Sequence, residues 1–425
     1  MKMSKMMQLM CNTEMWQNMI DKADEKGLDM NLIRDLCHSK KRERLLQRIF
    51  EGKHDILPPR IALIPKDDKG QFRTVYINTD LDRIILTLVN DCLSILFKDM
   101  VHPNCVSYQK GKGTQEIVQK ASNAILKYRK GYKTDFSKYF DNVSIRRIDE
   151  ILDKVEVKLY FEIGCEPVVE MLRRYFHCNL YFDQDGNLCE IYQGLKQGNA
   201  TASWMANACL YELDEYMSNK YSVYYRYSDD IICIDRDVSH VVDDINRFSS
   251  KANVVLNPKK VKAIYDTEWF KFLGFNIKGS LITLSENRIK KFQKEIEKRS
   301  IKRFKKKGLK SAKMSKQLIY RYLYEGDNCW ASSCLKIITS ESDLKEMNNF
   351  IIDCIRAVET GKRRIGGLGC QLNGKDGVIQ RGKGKHVKAN RLKTENIENY
   401  LSVRCMADNM NISMNLFETV VMNCR

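Results

Sequence analysis

Two adjacent carboxylates between two apolar runs constrain this chain more than any other feature of its sequence. The stretch Tyr225–Ile234 reads YRYSDDIICI, with Asp229 and Asp230 at its centre. Tyr and Ile favour strands and Ser-Asp-Asp suits a turn, so the pattern predicts a tight β-hairpin that carries both acids on its turn. Adjacent side chains of an extended segment point to opposite faces, so the two acids cannot be equivalent. Taken alone, an ordinary turn is the favoured interpretation, because Asp tolerates turn geometry.

The overall charge indicates the kind of partner. The 425 residues include 72 Lys and Arg against 54 Asp and Glu, a formal net charge of +18, which favours nucleic acid ahead of a membrane surface. At 43% hydrophobic residues, the chain is globular and long enough for two or three domains or subdomains. The 15 Cys form no Cys-x-x-Cys pair, which favours reduced thiols in a cytoplasmic protein over a disulfide framework or a zinc ribbon. No apolar run is long enough to span a bilayer, so no membrane is expected.

Periodicity and turn signals predict a mixed α and β chain. Helices are expected up to residue 57, a hairpin over 60–77, and a single strand over 268–277. Lys66 and Arg73 lie near the tip of the first hairpin, where cations are ordinarily just solvated. From Ser285 to Arg321 the chain holds fifteen Lys or Arg against three Glu, a difference of +12. A charge run is usually a solvated face, but this concentration fits contact with a phosphate backbone.

A third acid changes the interpretation of the first two. Asp135 ends a short strand 94 residues before Asp229 (229 − 135). If the two strands are neighbours, three carboxylates converge at one sheet edge and form a site for two Mg²⁺ ions, which prefer oxygen ligands. Two metals ~3.5–4 Å apart clamp the attacking and leaving oxygens of a phosphoryl transfer. Lys66 and Arg73 would then hold a triphosphate, and the basic helices would hold a duplex product.

Six motifs in this order resemble the reverse transcriptase family over about residues 58–280. They are Ile64-Pro65-Lys66 to Arg73, Asp135 to Val143, Gln197-Gly198, Tyr227-Ser228-Asp229-Asp230, Asn257-Pro258-Lys259-Lys260 and Phe272-Leu273-Gly274-Phe275. The resemblance implies an α+β right-hand polymerase with fingers and palm, an antiparallel sheet plus helices, followed by a helical thumb. The implied domains are an N-terminal helical extension (1–57), fingers and palm (58–280), a basic helical thumb (281–345) and a basic, Gly-containing C-terminal extension (346–425).

The resemblance also implies roles for particular residues. Asp135, Asp229 and Asp230 would be the catalytic acids and bind two Mg²⁺ ions, with Mn²⁺ as the alternative metal. Asp135 and Asp229 are the favoured direct ligands, joined by the backbone carbonyl of Phe136. Phe140 takes the steric-gate position, where a ring excludes a 2′-hydroxyl and favours dNTPs. Lys260 would lie near the triphosphate as a candidate general acid. The implied nucleotide-binding set is Lys66, Arg73, Phe136, Phe140, Gln197, Gly198 and Lys260, and the implied nucleic-acid-binding set is Lys302, Arg303, Lys305, Lys306 and Lys307.

Within that family, the chain is most similar to the miscellaneous bacterial reverse transcriptases, some of them linked to phage defence. Ala202-Ser203-Trp204 replaces the Ser-Pro of group II intron enzymes, the Val-Thr-Gly triplet of retron enzymes is missing, and Gln197 is present where diversity-generating enzymes replace it. The resemblance implies DNA synthesis from dNTPs on an RNA template, expected to be a cognate noncoding RNA. The alternatives are template-independent or protein-primed DNA synthesis, and an RNA-binding, maturase-like protein. The oligomeric state has no signal in the sequence.

Overall fold

The computed structural model describes most of the chain. The described residues are 3–38, 40–65, 70, 72–109, 111–159, 166–190, 194–303, 312–326, 329–360, 370–372 and 379–381. Four of the predicted site residues lie outside this set: Lys66, Lys305, Lys306 and Lys307. Most of the expected C-terminal extension also lies outside it.

The described part of the chain contains both helices and strands, which follow one another in mixed order. The helices are α1 (Lys5–Cys11), α2 (Thr13–Asp21), α3 (Ala23–Lys26), α4 (Met30–His38), α5 (Lys41–Phe50), α6 (Asp80–Leu96), α7 (Thr114–Tyr128), α8 (Tyr139–Asn142), α9 (Ile145–Leu159), α10 (Pro167–His177), α11 (Ala200–Cys209), α12 (Tyr211–Lys220), α13 (Val241–Ser249), α14 (Glu286–Arg299), α15 (Ala312–Tyr324), α16 (Trp330–Ser333) and α17 (Glu341–Thr360). The strands are β1 (Arg60–Pro65), β2 (Phe72–Ile77), β3 (Lys130–Asp135), β4 (Leu180–Phe182), β5 (Leu188–Glu190), β6 (Val223–Tyr227), β7 (Asp230–Ile234), β8 (Lys262–Tyr265), β9 (Phe270–Phe272), β10 (Phe275–Lys278), β11 (Leu281–Leu284), β12 (Cys370–Leu372) and β13 (Ile379–Arg381).

The chain divides into two compact units. The first consists of Met1–Lys110, Tyr132–Cys233 and Asp237–Lys262, and the second of Gly111–Gly131, Ile234–Arg236 and Ala263–Arg425. Among the described helices, none combines the length and apolarity needed to cross a membrane.

The first unit is built around the buried helix α6. Its N-terminus is closed by Thr79, whose hydroxyl oxygen accepts from the Asp82 backbone N–H at 3.2 Å and donates to the Asp82 carboxylate at 2.8 Å. Its apolar side chains are buried on several faces, and α1 and α11 both pack against it. The N-terminal helices join the same core, since Trp16 and Ile33 belong to the hydrophobic cluster that also contains Ile84. The expected segment 1–57 therefore packs within the unit that carries the acids.

Two sheets position the candidate site. The hairpin of β1 and β2 is antiparallel, as expected, with Pro65 opposite Phe72, and it belongs to a sheet of order β2-β1-β4-β5. The acids lie on a second sheet of order β6-β7-β3-β8. Strands β3 and β7 are neighbours in this sheet, which is the condition for Asp135 to approach the Asp pair.

The second unit contains a small antiparallel sheet of order β11-β10-β9. The segment predicted as a single strand over 268–277 is in fact a hairpin. Leu273 and Gly274 form its turn with φ of 47° and 81°, a left-handed conformation that no strand contains. Arg288 of α14 secures the turn, because its Nη2 donates to the Leu273 carbonyl at 3.1 Å and its guanidinium lies 4.4 Å from the centroid of the Phe275 ring. The backbone N–H of Ser285 donates to the Gly274 carbonyl at 2.9 Å.

Candidate active site

The acid pair lies at the junction of β6 and β7. The expected hairpin is present, with Ser228 and Asp229 as the two turn residues, whereas Asp230 is the first residue of β7. Ser228 has φ of 58°, so the turn depends on a left-handed residue that is not glycine. Both acids are half-buried.

The third acid lies beside this turn. The backbone N–H of Phe136 donates to the Asp229 carbonyl at 3.2 Å, which ties the end of β3 to the turn. Asp135 is 4% exposed, and its own carbonyl accepts from the Asn257 backbone N–H at 2.9 Å. Three segments distant in sequence therefore meet at the Asp135 backbone.

Asp135 has one carboxylate oxygen paired and one without a partner. Its Oδ2 accepts from Lys260 Nζ, while Oδ1 is buried and has no hydrogen-bond partner within the described part of the chain. Although burial opposes protonation, the bond to Asp135 raises the pKa of Lys260, and the charges of Asp229 and Asp230 raise it further. The Lys predicted as a candidate general acid thus contacts a predicted catalytic carboxylate.

The pKa values of both acids of the hairpin are raised. Burial raises the pKa of Asp230 to about 6, and the charges of Asp229 and Asp135 act in the same direction. Burial also raises the pKa of Asp229, an effect that Lys260 and Arg73 oppose. Carboxylates crowded together and removed from water favour either protons or bound cations.

A set of buried and half-buried carboxylates suits a hard divalent cation, because such ions take oxygen ligands. The orphaned Oδ1 of Asp135 is an unpaired acceptor of this kind. Within the described ranges, however, no group of three or more His, Cys, Asp or Glu side chains is close enough to hold a metal ion together. The chemistry of Asp135, Asp229 and Asp230 fits a cation, while in this structure Lys260 occupies the other oxygen of Asp135.

Among the predicted nucleotide-binding residues, Arg73 is exposed on β2, opposite Ile64, and its charge lowers the pKa of Asp229. Gln197 and Gly198 are fixed to the same strand, since the Tyr76 backbone N–H donates to the Gln197 carbonyl at 2.7 Å. Gly198 has φ of 123°, and a Cβ there would lie 2.6 Å from the Tyr76 carbonyl oxygen. No residue other than glycine fits this close approach without displacement.

Phe140 lies on the short helix α8, five residues after Asp135. Its backbone carbonyl accepts from the Leu195 N–H at 2.7 Å, and its ring contacts that of Tyr139 with centroids 5.6 Å apart. Gly194 permits this contact, because a Cβ at that position would lie 2.8 Å from the Phe140 carbonyl. The predicted steric gate is thus held by the loop that leads to Gln197.

Sequence reasoning missed Lys133, whose charge lowers the pKa of Asp230. A signal was present, since Lys133 and Asp135 are two residues apart on β3 and therefore share one face of the strand. No motif marks that lysine.

The predicted nucleic-acid-binding residues lie in the second unit. Lys302 and Arg303 are exposed just after α14, and Lys302 Nζ lies 3.3 Å from a carboxylate oxygen of Glu297. Helix α14 itself exposes further lysines. Lys291, Lys294 and Lys298 recur at helical spacing, opposite the buried Ile289, Phe292 and Ile296.

Comparison with known families identifies the chain as a nucleotidyltransferase of the polymerase class. The sequence profile described as "Reverse transcriptase (RNA-dependent DNA polymerase)" matches residues 64–277, half of the chain. The chain belongs to the reverse transcriptase family. The predicted α+β polymerase fold is confirmed, and so, at the level of the family, is the prediction of an RNA-directed DNA polymerase.

Among solved structures, the chain is similar to three structures of telomerase from two Candida species. Apo telomerase from Candida tropicalis has a TM-score of 0.45 and 16% identity, covering 72% of this chain and 59% of that one. A form truncated of its C-terminal domain has a TM-score of 0.41 and 15% identity, covering 54% and 55%. Telomerase from Candida albicans, in complex with a fragment of telomeric RNA, has a TM-score of 0.40 and 13% identity, covering 75% and 63%. The chain thus spans 55% to 63% of the lengths of these proteins. No curated protein matches the sequence significantly.

Proposed function

We propose that this protein is a Mg²⁺-dependent RNA-directed DNA polymerase that adds dNTPs to a 3′-hydroxyl on an RNA template. The observation that carries the proposal is the contact between the ends of β3 and the hairpin turn. It brings Asp135 beside Asp229 in a chain of the reverse transcriptase family, through the bond from the Phe136 N–H to the Asp229 carbonyl at 3.2 Å.

Asp135, Asp229 and Asp230 would hold two Mg²⁺ ions, with the Phe136 carbonyl as a further ligand and Mn²⁺ as the alternative metal. Bound there, the ions supply charge that activates a 3′-hydroxyl and neutralises the departing pyrophosphate. Arg73, exposed on β2, presents a planar fork of donors suited to phosphate oxygens. The pKa of Lys260 is raised above that of an ordinary lysine, so Lys260 keeps a positive charge beside Asp135.

The walls of the nucleotide site would come from the loop tied to β2. The backbone at Gly198 leaves open the space that a side chain would fill, and Gln197 is anchored by its carbonyl, so its side chain is presented from a fixed position. Phe140 is placed five residues after Asp135, where its ring would exclude a 2′-hydroxyl and so select dNTPs. Lys302 and Arg303 would contact the phosphates of the bound nucleic acid.

The finer biological role is also part of the proposal. The motif departures at Ala202-Ser203-Trp204 and the retained Gln197 favour a miscellaneous bacterial reverse transcriptase. We therefore propose a cognate noncoding RNA as template, antiviral defence as the role, and the cytoplasm as the location. Protein-primed or template-independent synthesis remains the second candidate function, since the residues of the site do not specify the primer.

The decisive variant is Asp229→Asn, which removes a charge without changing the volume. We expect dNTP incorporation on a primed RNA template to fall by about 1,000-fold, because the loss of a metal ligand costs several kcal/mol of transition-state stabilisation. RNA binding, measured by filter retention, should persist. Asp243→Asn on α13, an exposed acid, is the matched control and should behave as wild type. Wild-type rates in Asp229→Asn would refute the proposal.

A second measurement decides between the two candidate functions. The DNA made by the wild type is digested with nuclease or with protease before electrophoresis. Product that enters the gel only after proteolysis is attached to protein and supports protein priming. Product whose sequence complements the added RNA supports templated synthesis, and sequencing the nucleic acid that co-purifies with wild type and Asp229→Asn identifies the template.

A further inference from the structure

The turn residue Ser228 is held by buried side chains at both of its backbone polar groups. Its N–H donates to Ser107 Oγ at 2.9 Å, and its carbonyl accepts from Arg226 Nη1 at 3.1 Å. Ser228 is itself buried and has φ of 58°. A left-handed residue other than glycine costs conformational energy and persists only where its surroundings fix it. These two bonds provide that fixation immediately before Asp229.

Arg226 is the larger of the two supports. It is 0% exposed, and its Nε and Nη2 donate to the two carboxylate oxygens of Asp214 at 2.7 and 2.6 Å. Nη2 also donates to the Asn207 carbonyl at 3.2 Å, and the hydroxyl of Tyr224 donates to Asp214 at 2.8 Å. The ion pair is therefore hydrogen-bonded to further partners on both sides, and Nη1 of the guanidinium is directed at Ser228.

The second support, at the Ser228 N–H, is also held by hydrogen bonds to buried groups. Ser107 Oγ donates to Asn207 Oδ1 at 2.9 Å, which leaves its lone pairs to accept from Ser228. Asn207 Nδ2 returns a bond to the Ser107 carbonyl at 2.7 Å. Asn207 thus contacts both supports, Ser107 through its side chain and Arg226 through its carbonyl.

A buried ion pair is a weak source of stability, because removing both charges from water costs about as much as their attraction returns. Apolar side chains of similar volume would fill the same space. What such side chains could not provide is a donor aimed at the Ser228 carbonyl. The ion pair therefore contributes little to the stability of the core, but it fixes the backbone that directs the two acids.

We propose that Ser107, Asn207, Asp214 and Arg226 are positioning residues, which fix the backbone of Ser228 and thereby aim Asp229 and Asp230 at a divalent cation. The proposal rests on the proposed function, in which those acids bind Mg²⁺. None of the four residues belongs to the set proposed to bind metal or nucleotide. Their effect reaches the acids through the two backbone bonds of Ser228.

The test uses two variants, each of which removes one of the two bonds to the Ser228 backbone. Ser107→Ala deletes the acceptor of the Ser228 N–H. The double variant Asp214→Leu with Arg226→Met deletes the donor to the Ser228 carbonyl and replaces the charge pair with apolar groups, so that no lone buried charge remains. The matched control is Asp244→Asn, another buried carboxylate of the first unit, whose bonds go to Tyr216, Lys220 and Tyr221.

Two readouts separate positioning from general stability. Mn²⁺ affinity of the protein without nucleic acid is measured by electron paramagnetic resonance, and thermal unfolding is measured in parallel. We expect Mn²⁺ affinity to fall about 10- to 100-fold in both test variants, as is typical when the partners of metal-binding groups are removed. In polymerase assays, kcat should fall while KM for primed template stays constant. Asp244→Asn should lower the melting temperature and leave Mn²⁺ affinity unchanged.

Three outcomes overturn the inference: unchanged Mn²⁺ affinity in either variant, no Mn²⁺ binding by the wild type, or loss of the fold in both variants. A wild type that binds Mn²⁺ but makes no DNA would refute the proposed function alone. The Mn²⁺ affinities of the variants would still show whether the network positions the acids.

Discussion

Lys196 is a lysine whose ammonium group lies among backbone carbonyls instead of in water. It is 2% exposed, its Nζ donates to the carbonyls of Tyr175 and Cys178, and it lies 4.4 Å from the centroid of the Tyr175 ring. These carbonyls end helix α10, so the lysine satisfies acceptors that a helix C-terminus leaves open. Through its backbone, Lys196 leads directly into Gln197, and the cap therefore anchors the nucleotide-site loop.

Burial lowers the pKa of Lys196 to about 8 from its ordinary value of 10.5. Between these two values the unfolded chain binds a proton that the folded chain does not, so stability should rise with pH in this window. Below pH 8 the lysine is charged in both states and its contribution does not change with pH.

In Lys196→Met this titration is removed. From urea unfolding, the free energy of unfolding of the wild type relative to Lys196→Met should rise by about 2 kcal/mol between pH 8 and 9.5, since one pKa unit corresponds to about 1.36 kcal/mol. Subtracting the variant cancels the titration of other groups. A difference that is flat over this range would mean that Lys196 keeps an ordinary pKa.

Single residues differ in how far the sequence reveals them. Asp229 and Asp230 stand out because two adjacent acids between apolar runs are conspicuous, and Asp135 stands out as an acid that ends a short strand. Lys196 and Arg226 do not, since a cation in a loop or a strand ordinarily points into water. Only tertiary partners such as Asp214 and the end of α10 bring these two inside, and those partners are distant in sequence.

Among the elements, the hairpin of β1 and β2 could be predicted, because a charged turn separates two apolar runs. The hairpin of β9 and β10 could not. Its turn residues, Leu273 and Gly274, lie inside a continuous apolar pattern, and the left-handed conformation of Leu273 has no local signal. Its stabilising contact, Arg288, belongs to the next helix.

Helix α14 places its lysines on the face away from the core. Lys291, Lys294 and Lys298 are exposed, and the sequence correctly indicated a basic helical region here but singled out later residues. Mutating all three to Ala should weaken binding to an RNA–DNA duplex and make it less sensitive to salt. Each lost phosphate contact should reduce the slope of log K against log salt by about 0.9, the value for B-DNA.

The control for this element is the triple change of Lys22, Lys40 and Lys53 to Ala, three exposed lysines of the first unit with the same total charge. Fluorescence anisotropy over a series of KCl concentrations gives both slopes. Equal slopes for the two triple variants would mean that net charge alone, and not the α14 face, governs binding.

At the scale of the whole molecule, charge indicated a nucleic-acid partner, length indicated two or three domains, and periodicity indicated N-terminal helices. Periodicity does not say which surface a helix covers. In the structure, Trp16 is 1% exposed, and its Nε1 donates to the Met10 carbonyl at 2.8 Å. It belongs to the same hydrophobic cluster as Phe136, so the N-terminal helices and the site share one core.

Trp16→Ala should therefore destabilise the unit that carries the acids. We expect a loss of about 3–5 kcal/mol in the free energy of unfolding, the usual cost of removing a buried Trp. Leu57→Ala, at a position 56% exposed, should change it by less than about 0.5 kcal/mol. Polymerase activity followed against urea should be lost at the same concentration as the fold. Activity that persists at urea concentrations where the fold is lost would show that the site does not depend on the packing of the N-terminal helices.

The contacts between Arg288 and the β9–β10 turn make the turn and the start of α14 depend on one side chain. Two hydrogen bonds and a guanidinium over the Phe275 ring join them. A Cβ at Gly274 would lie 2.3 Å from Arg288 Nε, so even one methyl group there would displace the guanidinium and weaken the connection between the hairpin and the lysine-bearing helix.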